Sequence, residues 1–451
     1  MAETVELGTE ATAELPDGFK KTELGPLPQD WQVVRLGEVA ELRLGRTPPR
    51  KDSRYWDGGT IPWVTISDLN NGIVMRTAEK ITDIAHEQIF RNKFVPVGTL
   101  LLSFKLTVGK VGLLGIPAVH NEAIASVYPG RLVHKDFLFY LFQGYNFDPL
   151  LDSYVKGKTL NTEKLKQLPI PLPTPSEQCA IAYVLHIVRQ AKEATEKVLA
   201  ATRELKKSLM RHLFTYGPVP VEEAERVPLK ETEIGLVPEH WQIVRLEDVV
   251  RPIKQIDPKK FPEQRFRYID VSSIDNQQLR VVGHQDVLGK YAPSRARKLI
   301  KAGDVIFATV RPYLKRIALV TPEYDGQICS TAFCVLRADG RSVISNYLFS
   351  AVSHDRFVDS ISEYQRGSSY PAVTDGDVLR GLIPLPPLSE QKGIASILRT
   401  VDDKIQAEEV FKHALDVLFK ALLHLLMTGR VRVKDLSLPE TEGVASGASR
   451  E

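Results

Sequence analysis

Positive charge is concentrated in three short stretches of the sequence. Residues 43–54 contain five basic side chains and one acid, residues 91–110 contain four basic side chains and no acid, and residues 290–316 contain eight basic side chains and the single acid Asp304. Lysine and arginine neutralise phosphates and release counterions, and arginine can also donate two hydrogen bonds to a guanine edge. One such stretch alone is more often a solvated basic surface, so the clusters need structural context.

That context is an internal repeat. The segment TELGPLPQDWQVVRLGEV, starting at Thr22, returns as TEIGLVPEHWQIVRLEDV, starting at Thr232, with ten of eighteen positions identical. Further on, GTLLLSFKLTVGKVGLL from Gly98 aligns with GDVIFATVRPYLKRIAL from Gly303. In both copies an apolar strand follows the glycine, crosses a basic turn and returns as a second strand, so we predict two β-rich domains with basic hairpin tips.

Because the positive charge falls at matching places in both copies, we interpret it as a DNA-binding surface. Most contacts are expected to be with phosphates. The residues at the hairpin tips are the leading candidates. Trp31 and Trp241 open equivalent strands, and we interpret them as core anchors rather than as a platform for stacked bases. The predicted DNA-binding residues are Arg43, Arg46, Arg50, Lys51, Arg54, Lys105, Lys110, Arg295, Arg297, Lys298, Arg311, Lys315 and Arg316.

Each copy closes with a proline-rich segment, PLPTPSEQ or PLPPLSEQ, ahead of a long helical pattern. Ser176 and Ser389 are the predicted N-caps, and the helices are predicted to run to about Phe214 and Met427. Apolar spacings of three and four residues predict a heptad seam on each helix. A helix with one apolar seam needs a partner, so we predict that the two helices pair. Antiparallel pairing would place the domains at opposite ends, and the seams leave parallel pairing open. The seam positions are Ile181, Val184, Val188, Ala191, Thr195, Val198, Thr202, Leu205 and Leu209 in the first helix, and Ile394, Ile397, Val401, Glu408, Phe411, Leu415, Leu418, Leu422 and Leu425 in the second.

Composition excludes several classes of protein. The 451 residues have a net charge of +3 and only three cysteines, which indicates a reducing cytoplasm rather than a disulfide framework. No apolar run is long enough to span a bilayer. The sequence contains no phosphate loop, no GxGxxG ahead of a helix, no HExxH and no His and Cys cluster at metal spacing. A self-contained enzyme is therefore disfavoured.

The doubled WQ[VI]VRL opening, the strand IPWVTISDLNNG and the two SEQ segments heading heptad helices resemble the specificity subunit of type I restriction-modification enzymes, from about Leu24 to Arg430. This resemblance implies an α+β fold in which two β-rich target-recognition domains are joined by two long helices in an antiparallel coiled coil, with an internal pseudo-two-fold repeat. The expected boundaries are a disordered tail at 1–15, target-recognition domains at 16–170 and 218–383, linker and helix segments at 171–217 and 384–430, and a C-terminal tail at 431–451.

The resemblance also implies a function. Each domain would read one half of a bipartite double-stranded DNA target, while the helices would set the spacing and dock two modification subunits. Two restriction subunits would complete the complex. The chain itself would be non-catalytic and bind no cofactor, with S-adenosylmethionine, ATP and Mg²⁺ on its partners. A cytoplasmic location and no membrane contact are expected.

Three other interpretations stay open. A related restriction system that cuts on both sides of its site would share this architecture and differ in its partners. A self-sufficient nuclease or methyltransferase would need catalytic groups that are distant in sequence. A coiled-coil scaffold that binds only proteins would have negligible affinity for DNA even at low salt.

Overall fold

The computed structural model describes residues 15–150, 152–154, 157–367 and 370–434. The chain forms two compact units, the first made of Met1–Glu196 with Phe411–Glu451 and the second of Lys197–Val410. Both units mix helix and sheet, as the predicted α+β class requires. The predicted tails at 1–15 and 431–451 lie outside the described residues, except for Leu15 and residues 431–434.

In the first unit the strands are β1 (Phe19–Thr22), β2 (Gly25–Pro28), β3 (Gln32–Arg35), β4 (Ala40–Leu44), β5 (Ile61–Val64), β6 (Ile73–Val74), β7 (Glu79–Ile81), β8 (Leu100–Ser103), β9 (Val111–Leu114), β10 (Val119–His120), β11 (Ile124–Pro129), β12 (Asp152–Tyr154), β13 (Gly157–Thr159) and β14 (Pro169–Leu172). The helices are α1 (Leu36–Val39), α2 (Asp83–Phe90), α3 (Lys135–Gly144), α4 (Thr162–Lys166) and α5 (Pro175–Tyr216), the last of which continues into the second unit.

In the second unit the strands are β15 (Leu229–Thr232), β16 (Gly235–Pro238), β17 (Gln242–Arg245), β18 (Val250–Arg251), β19 (Arg265–Ile269), β20 (Ile274–Asp275), β21 (Arg280–Val281), β22 (Gln285–Leu288), β23 (Ala296–Leu299), β24 (Val305–Ala308), β25 (Ile317–Leu319), β26 (Ile328–Ser330), β27 (Phe333–Ala338) and β28 (Leu382–Leu385). The helices are α6 (Leu246–Val249), α7 (Ser345–Ser353), α8 (Asp355–Ser362), α9 (Asp375–Leu379) and α10 (Leu388–Met427), which continues into the first unit.

The sheets repeat the same plan in both units. The first unit holds a five-stranded sheet in the order β4-β11-β8-β9-β6, and the second a four-stranded sheet in the order β18-β27-β24-β25. Strands β8 and β24 are buried along their whole length, as their unbroken apolar sequences require. Each pairs antiparallel with the next strand, β9 or β25. The two predicted hairpins are therefore confirmed.

A tryptophan anchors the core of each unit. Trp31 and Trp241 are fully buried, which confirms their interpretation as core residues. Trp31 packs in a cluster with Phe137 of α3, and Trp241 packs in the corresponding cluster with Tyr347 of α7. The indole N–H groups donate to Glu177 at 3.0 Å and to Glu390 at 2.8 Å, so each tryptophan ties the opening strand to the start of a long helix.

The glutamine of each SEQ segment makes a second link between the start of the long helix and the rest of its unit. The Gln178 amide accepts from the backbone N–H of His134 at 2.7 Å and donates to the carbonyls of Leu132 and Pro173. In the second unit Gln391 accepts from the N–H of Ile344 and donates to the carbonyls of Ser342 and Pro386. Both glutamines are fully buried. The segment is therefore a structural joint between each long helix and its own unit.

Replacing Gln178 by alanine is expected to cost the first unit about 1–3 kcal/mol of unfolding free energy, because buried backbone groups lose their partners. Gln178→Glu is the matched variant: its carboxylate can still accept from His134 but cannot donate to the two carbonyls. Urea denaturation should rank the wild type above both variants. Equal stability of the wild type and Gln178→Ala would show that water replaces the amide.

The long helices begin earlier than expected. Helix α5 starts at Pro175, where the Thr174 hydroxyl accepts from the N–H of Glu177 at 3.4 Å. Helix α10 starts at Leu388. Ser176 and Ser389 lie inside the first turns, so their prediction as N-caps is wrong. Proline is well tolerated in a first turn, where its missing N–H has no helical acceptor.

The predicted heptad seams are only partly correct. Val198 and Leu205 on α5 and Ile397, Phe411 and Leu418 on α10 are exposed, whereas the neighbouring Leu199 and Leu398 are buried. A straight helix repeats every 3.6 residues, so its buried face drifts by about 20° per heptad away from a strict 3.5-residue pattern. The buried face therefore moves to adjacent positions along each helix.

Within each unit, ion pairs join segments of the two long helices. In the first unit, Lys192 contacts Asp416 at 2.6 Å and Lys412 contacts Glu196 at 2.9 Å. In the second unit, Arg203 contacts Glu409 at 2.8 Å and Lys206 contacts Asp402 at 2.5 Å. In each unit, of the two α5 residues that form ion pairs, the one further along the chain pairs with the α10 residue that comes first in the chain. The two helix segments therefore run in opposite directions within each unit.

Candidate nucleic-acid interface

The first hairpin tip is a basic turn between β8 and β9. Lys105 and Lys110 lie in this turn, both partly exposed, and the Lys105 ammonium lies 5.3 Å from the ring centre of the buried Phe104. The Ser103 hydroxyl donates to the carbonyl of Thr107 and accepts from the N–H of Lys110. No ion pair of either lysine is found among the described residues. The tip therefore offers two uncompensated positive charges on a braced turn.

The second hairpin tip has the same position but a different shape. Between β24 and β25 the chain makes a 3₁₀ turn at Pro312–Leu314, flanked by Arg311 and Lys315 in the left-handed region. The Arg311 guanidinium lies 5.0 Å from the ring centre of Tyr370, which is 74% exposed. The tip thus combines basic side chains, which can contact phosphates, with an exposed aromatic side chain.

Two basic residues of this tip, Lys315 and Arg316, are engaged by partners in the same unit. Lys315 pairs with Asp355 at the start of α8, and burial lowers the pKa of its ammonium. Arg316 donates to the carbonyls of Val271 at 2.8 Å and Ile274 at 3.2 Å. These contacts brace the turn, so less of the charge in this stretch is available to a ligand than its sequence suggests.

Three further predicted DNA contacts lie in β23 or directly before it. Arg295 is exposed, and Arg297 is partly exposed and pairs with Asp257 at 3.1 Å. Lys298 is only 4% exposed. Its ammonium donates to the carbonyl of Phe333 at 2.6 Å and pairs with Asp375. The prediction that Lys298 contacts DNA does not fit this environment, because the side chain points into the unit and its charge is already neutralised.

Backbone contacts bring Arg295 close to the second tip. The N–H of Thr331 donates to the carbonyl of Arg295, and the N–H of Thr309 donates to the carbonyl of the adjacent Ala332. Arg295, which directly precedes β23, therefore lies beside the hairpin that carries Arg311. In the first unit a link of the same kind joins residues 43–54 to the Lys105 tip: the N–H of Gly45 donates to the carbonyl of Ile124, and the N–H of Phe104 donates to the carbonyl of the adjacent Ala123.

Residues 43–54 also contact two tryptophans. The Arg50 guanidinium lies 4.2 Å from the ring centre of Trp56 and 4.7 Å from that of Trp63, and it pairs with Glu79. The Trp63 indole donates to the carbonyl of Arg46. Trp63 is almost fully buried, so these contacts pack the Arg50 side chain against the core of this part of the unit.

The remaining basic residues of that stretch are mostly engaged as well. Arg43 pairs with Glu41 and Arg54 with Asp52, both at 2.7 Å, and Arg46 donates to the carbonyl of Ile89 at 2.8 Å. Lys51 is exposed. Exposed ion pairs of this kind contribute only about 0–1 kcal/mol, so a phosphate can compete for these arginines.

The sequence interpretation missed that a later part of each unit is hydrogen-bonded to its tip, just after a repeated sequence pattern. YVKGKT, starting at Tyr154, matches YQRGSS, starting at Tyr364, at the same offset as the opening motif. The N–H of Leu160 donates to the carbonyl of Phe104, and the N–H of Arg311 donates to the carbonyl of Pro371. This repeated Y-x-[KR]-G pattern was the available signal. It adds Arg366 and Tyr370 to the second tip's surroundings.

Replacing Lys298 by methionine is expected to lower the unfolding free energy of the second unit by about 1–3 kcal/mol, because the buried carbonyl of Phe333 loses its donor. The DNA affinity of the folded variant should stay unchanged at low temperature. Thermal unfolding and a DNA titration of the same sample test both expectations. Lower affinity with full stability would place the ammonium in the interface.

No group of three His, Cys, Asp or Glu side chains that could hold a metal ion is found in the described ranges. Over the same ranges, no helix is long and apolar enough to cross a membrane.

Comparison with known proteins identifies this arrangement. The profile of the family described as "Type I restriction modification DNA specificity domain" matches twice, at residues 28–201 and 238–415. The chain belongs to this family, as the sequence resemblance predicted. The two matches coincide with the two copies of the repeat.

Individual relatives cover most of the chain. The type I restriction enzyme MjaVIII specificity subunit of Methanocaldococcus jannaschii is 25% identical over 443 residues, covering 93% of this chain and 97% of that protein. The EcoDI specificity subunit of Escherichia coli is 22% identical over 392 residues, covering 82% and 81%. The crystal structure of the type I restriction-modification S subunit from M. genitalium matches with a TM-score of 0.56 and 14% identity, over 92% of this chain and 98% of that one, which supports the fold.

Proposed function

We propose that this chain is the non-catalytic DNA-recognition subunit of a type I restriction-modification complex, in which each unit reads one half of a bipartite target. The observation that carries the proposal is the repetition of one scaffold with different tips. The opening hairpin, buried tryptophan and SEQ joint recur in both units, while the basic turns between β8 and β9 and between β24 and β25 differ in sequence and shape. Two readers of different sequences on one scaffold would require this pattern.

The long helices would form an antiparallel coiled coil that spaces the two half-sites. The direction of the four ion pairs between α5 and α10 supports this pairing.

The same helices would dock the two modification subunits. Ile187, Val198 and Leu205 are each more than 40% exposed, and their spacings of 11 and 7 residues place them along one stripe of α5. Val410, Phe411, Val417 and Leu418 form a second exposed apolar group on α10. Exposed apolar side chains in such numbers mark a protein contact. S-adenosylmethionine, ATP and Mg²⁺ would bind to the modification and restriction subunits, in the cytoplasm.

Coexpression with the modification subunit of the same locus, followed by single-base mapping of modified adenines, tests this function. A two-part motif with a fixed gap is the expected result. Absence of such a motif, with the partner bound and shown to be active, would favour a protein-binding scaffold. Cleavage on both sides of the mapped site by the complete complex would assign the chain to the related two-sided system.

A further inference from the structure

Each unit contains a cavity, and the two cavities occupy corresponding places in the repeat. The first has a volume of about 160 Å³ and the second about 420 Å³. Each is bounded by the opening hairpin, the apolar helix α3 or α7, and the last strand, β14 or β28. Met427 and Phe214, from the last turns of α10 and α5, complete the walls. Six lining positions correspond: Glu23 and Glu233, Leu24 and Ile234, Leu27 and Val237, Leu141 and Ala351, Pro169 and Leu382, and Pro171 and Pro384.

The rim of each cavity is formed by the same tight turn. In the first unit the Thr22 hydroxyl accepts from the N–H of Leu24 at 3.1 Å and donates to the carbonyl of Gly25 at 2.7 Å. Thr232 makes the same two bonds, at 3.3 and 2.6 Å. Gly25 and Gly235 take positive φ angles of 89° and 97°, which glycine adopts without strain. Both turns therefore present a glutamate and an aliphatic residue in the same way.

The cavities are apolar inside and acidic at the edge. Leu27 and Val237 are almost fully buried, whereas Glu23 and Glu233 are exposed. Glu23 pairs with Arg35 at 3.0 Å, while no ion pair of Glu233 is found among the described residues. The second cavity is also lined by the exposed acids Asp359 and Glu363, and by Arg356.

This chemistry does not suit DNA, because carboxylates repel phosphates and an apolar floor cannot hydrogen-bond to base edges. It suits an apolar side chain beside a lysine or arginine. The smaller cavity lies below the roughly 300–1,000 Å³ of small-molecule sites, so an occupant common to both is no larger than a side chain.

We propose that the two cavities receive the same anchor from two copies of the modification subunit: one apolar side chain flanked by a basic residue. The proposal rests on the proposed function as a subunit of that complex. Residues that read different DNA half-sites are expected to differ between the units. A partner that binds twice needs the same binding site in both units. Met427 and Phe214 make each cavity continuous with the end of a long helix, the element proposed to dock the same partner.

The test is the charge-reversal pair Glu23→Lys with Glu233→Lys in the full chain, titrated with the purified modification subunit. The matched control is Glu225→Lys with Glu231→Lys, which makes the same change in net charge at exposed sites outside the cavities. The cavity pair is expected to lower affinity for the modification subunit at least tenfold relative to the control. Each single cavity variant should bind one copy tightly and the second weakly by native mass spectrometry.

Affinity of the cavity pair equal to that of the control would overturn the proposal while leaving the proposed function intact. If the wild-type chain itself binds no modification subunit, both proposals fail together. Circular dichroism and DNA titration of the same variants test whether they remain folded, so that a loss of affinity for the modification subunit can be assigned to the cavities.

Discussion

Replacing Arg432 by alanine is expected to lower the unfolding free energy of the first unit by about 3–5 kcal/mol, the usual cost of breaking a buried ion pair from one side. Glu177 is fully buried, and its carboxylate is bound by the Arg432 guanidinium at 2.7 and 2.9 Å. Arg432 also binds Asp30 at 2.6 Å, and these two hydrogen-bonded carboxylates raise the pKa of the guanidinium. Without it, the Trp31 indole, at 3.0 Å, would be the one side-chain partner of the buried Glu177 carboxylate among the described residues.

A double-mutant cycle isolates this effect. Glu177→Gln keeps an acceptor for Trp31 and removes the charge, so Arg432→Ala should cost much less in that background than in the wild type. Lys434→Ala, an exposed neighbour, should change little. Thermal unfolding should show the loss in one of two transitions if the units unfold separately. An equal cost of Arg432→Ala in both backgrounds would show that Glu177 is not its partner in solution.

In the second unit the corresponding glutamate, Glu390, has a different set of hydrogen-bond partners. His240 stands where the first unit has Asp30, and its ring binds Glu390 at 2.7 Å. No ion pair between Glu390 and an arginine is found in the described ranges. The first unit thus depends on a segment that follows α10, more than 250 residues from Glu177 in the chain. Sequence comparison of the two copies aligns the glutamates but cannot supply this partner.

Local patterns predicted much of the fold. The unbroken apolar runs of β8 and β24, the basic turns after them and the buried Trp31 and Trp241 follow from alternation, turn chemistry and repetition, all of which act over a few residues. The long helices were found for the same reason. Their seams were misplaced at positions such as Val198 and Phe411, because a strict heptad pattern ignores the drift of a straight helix.

The charged residues were harder to interpret, because a charge in the sequence does not reveal its partner. Lys298 belongs to a dense basic stretch, yet its ammonium is buried against Phe333 and Asp375. Arg316 likewise donates to the backbone carbonyls of Val271 and Ile274, which are far from it in the sequence. Only the fold separates such residues from Lys105 and Lys110, whose positions at a turn were predicted and whose charges have no described counter-ion.

Replacing Lys105 and Lys110 together by alanine is therefore expected to produce the largest loss of DNA affinity among the lysine variants. Each phosphate contact contributes about 0.9 to the slope of log K against log salt, so the slope should fall by about 1.8. Near 0.1 M salt, the same relation gives roughly a tenfold loss of affinity per lysine. Fluorescence anisotropy of the complex with its modification subunit, measured over a series of salt concentrations, provides both quantities.

The matched control is Lys21→Ala with Lys166→Ala, which removes the same charge from exposed positions on the opening hairpin and on α4 of the same unit. Its effect on the slope should be small. Lysines that hold phosphates position the protein without reading sequence, so the adenine-methylation motif should be the same in the tip variant and the wild type, with fewer sites modified. A changed first half of the motif would instead make these lysines base readers, and an unchanged salt slope would remove the first hairpin tip from the DNA interface.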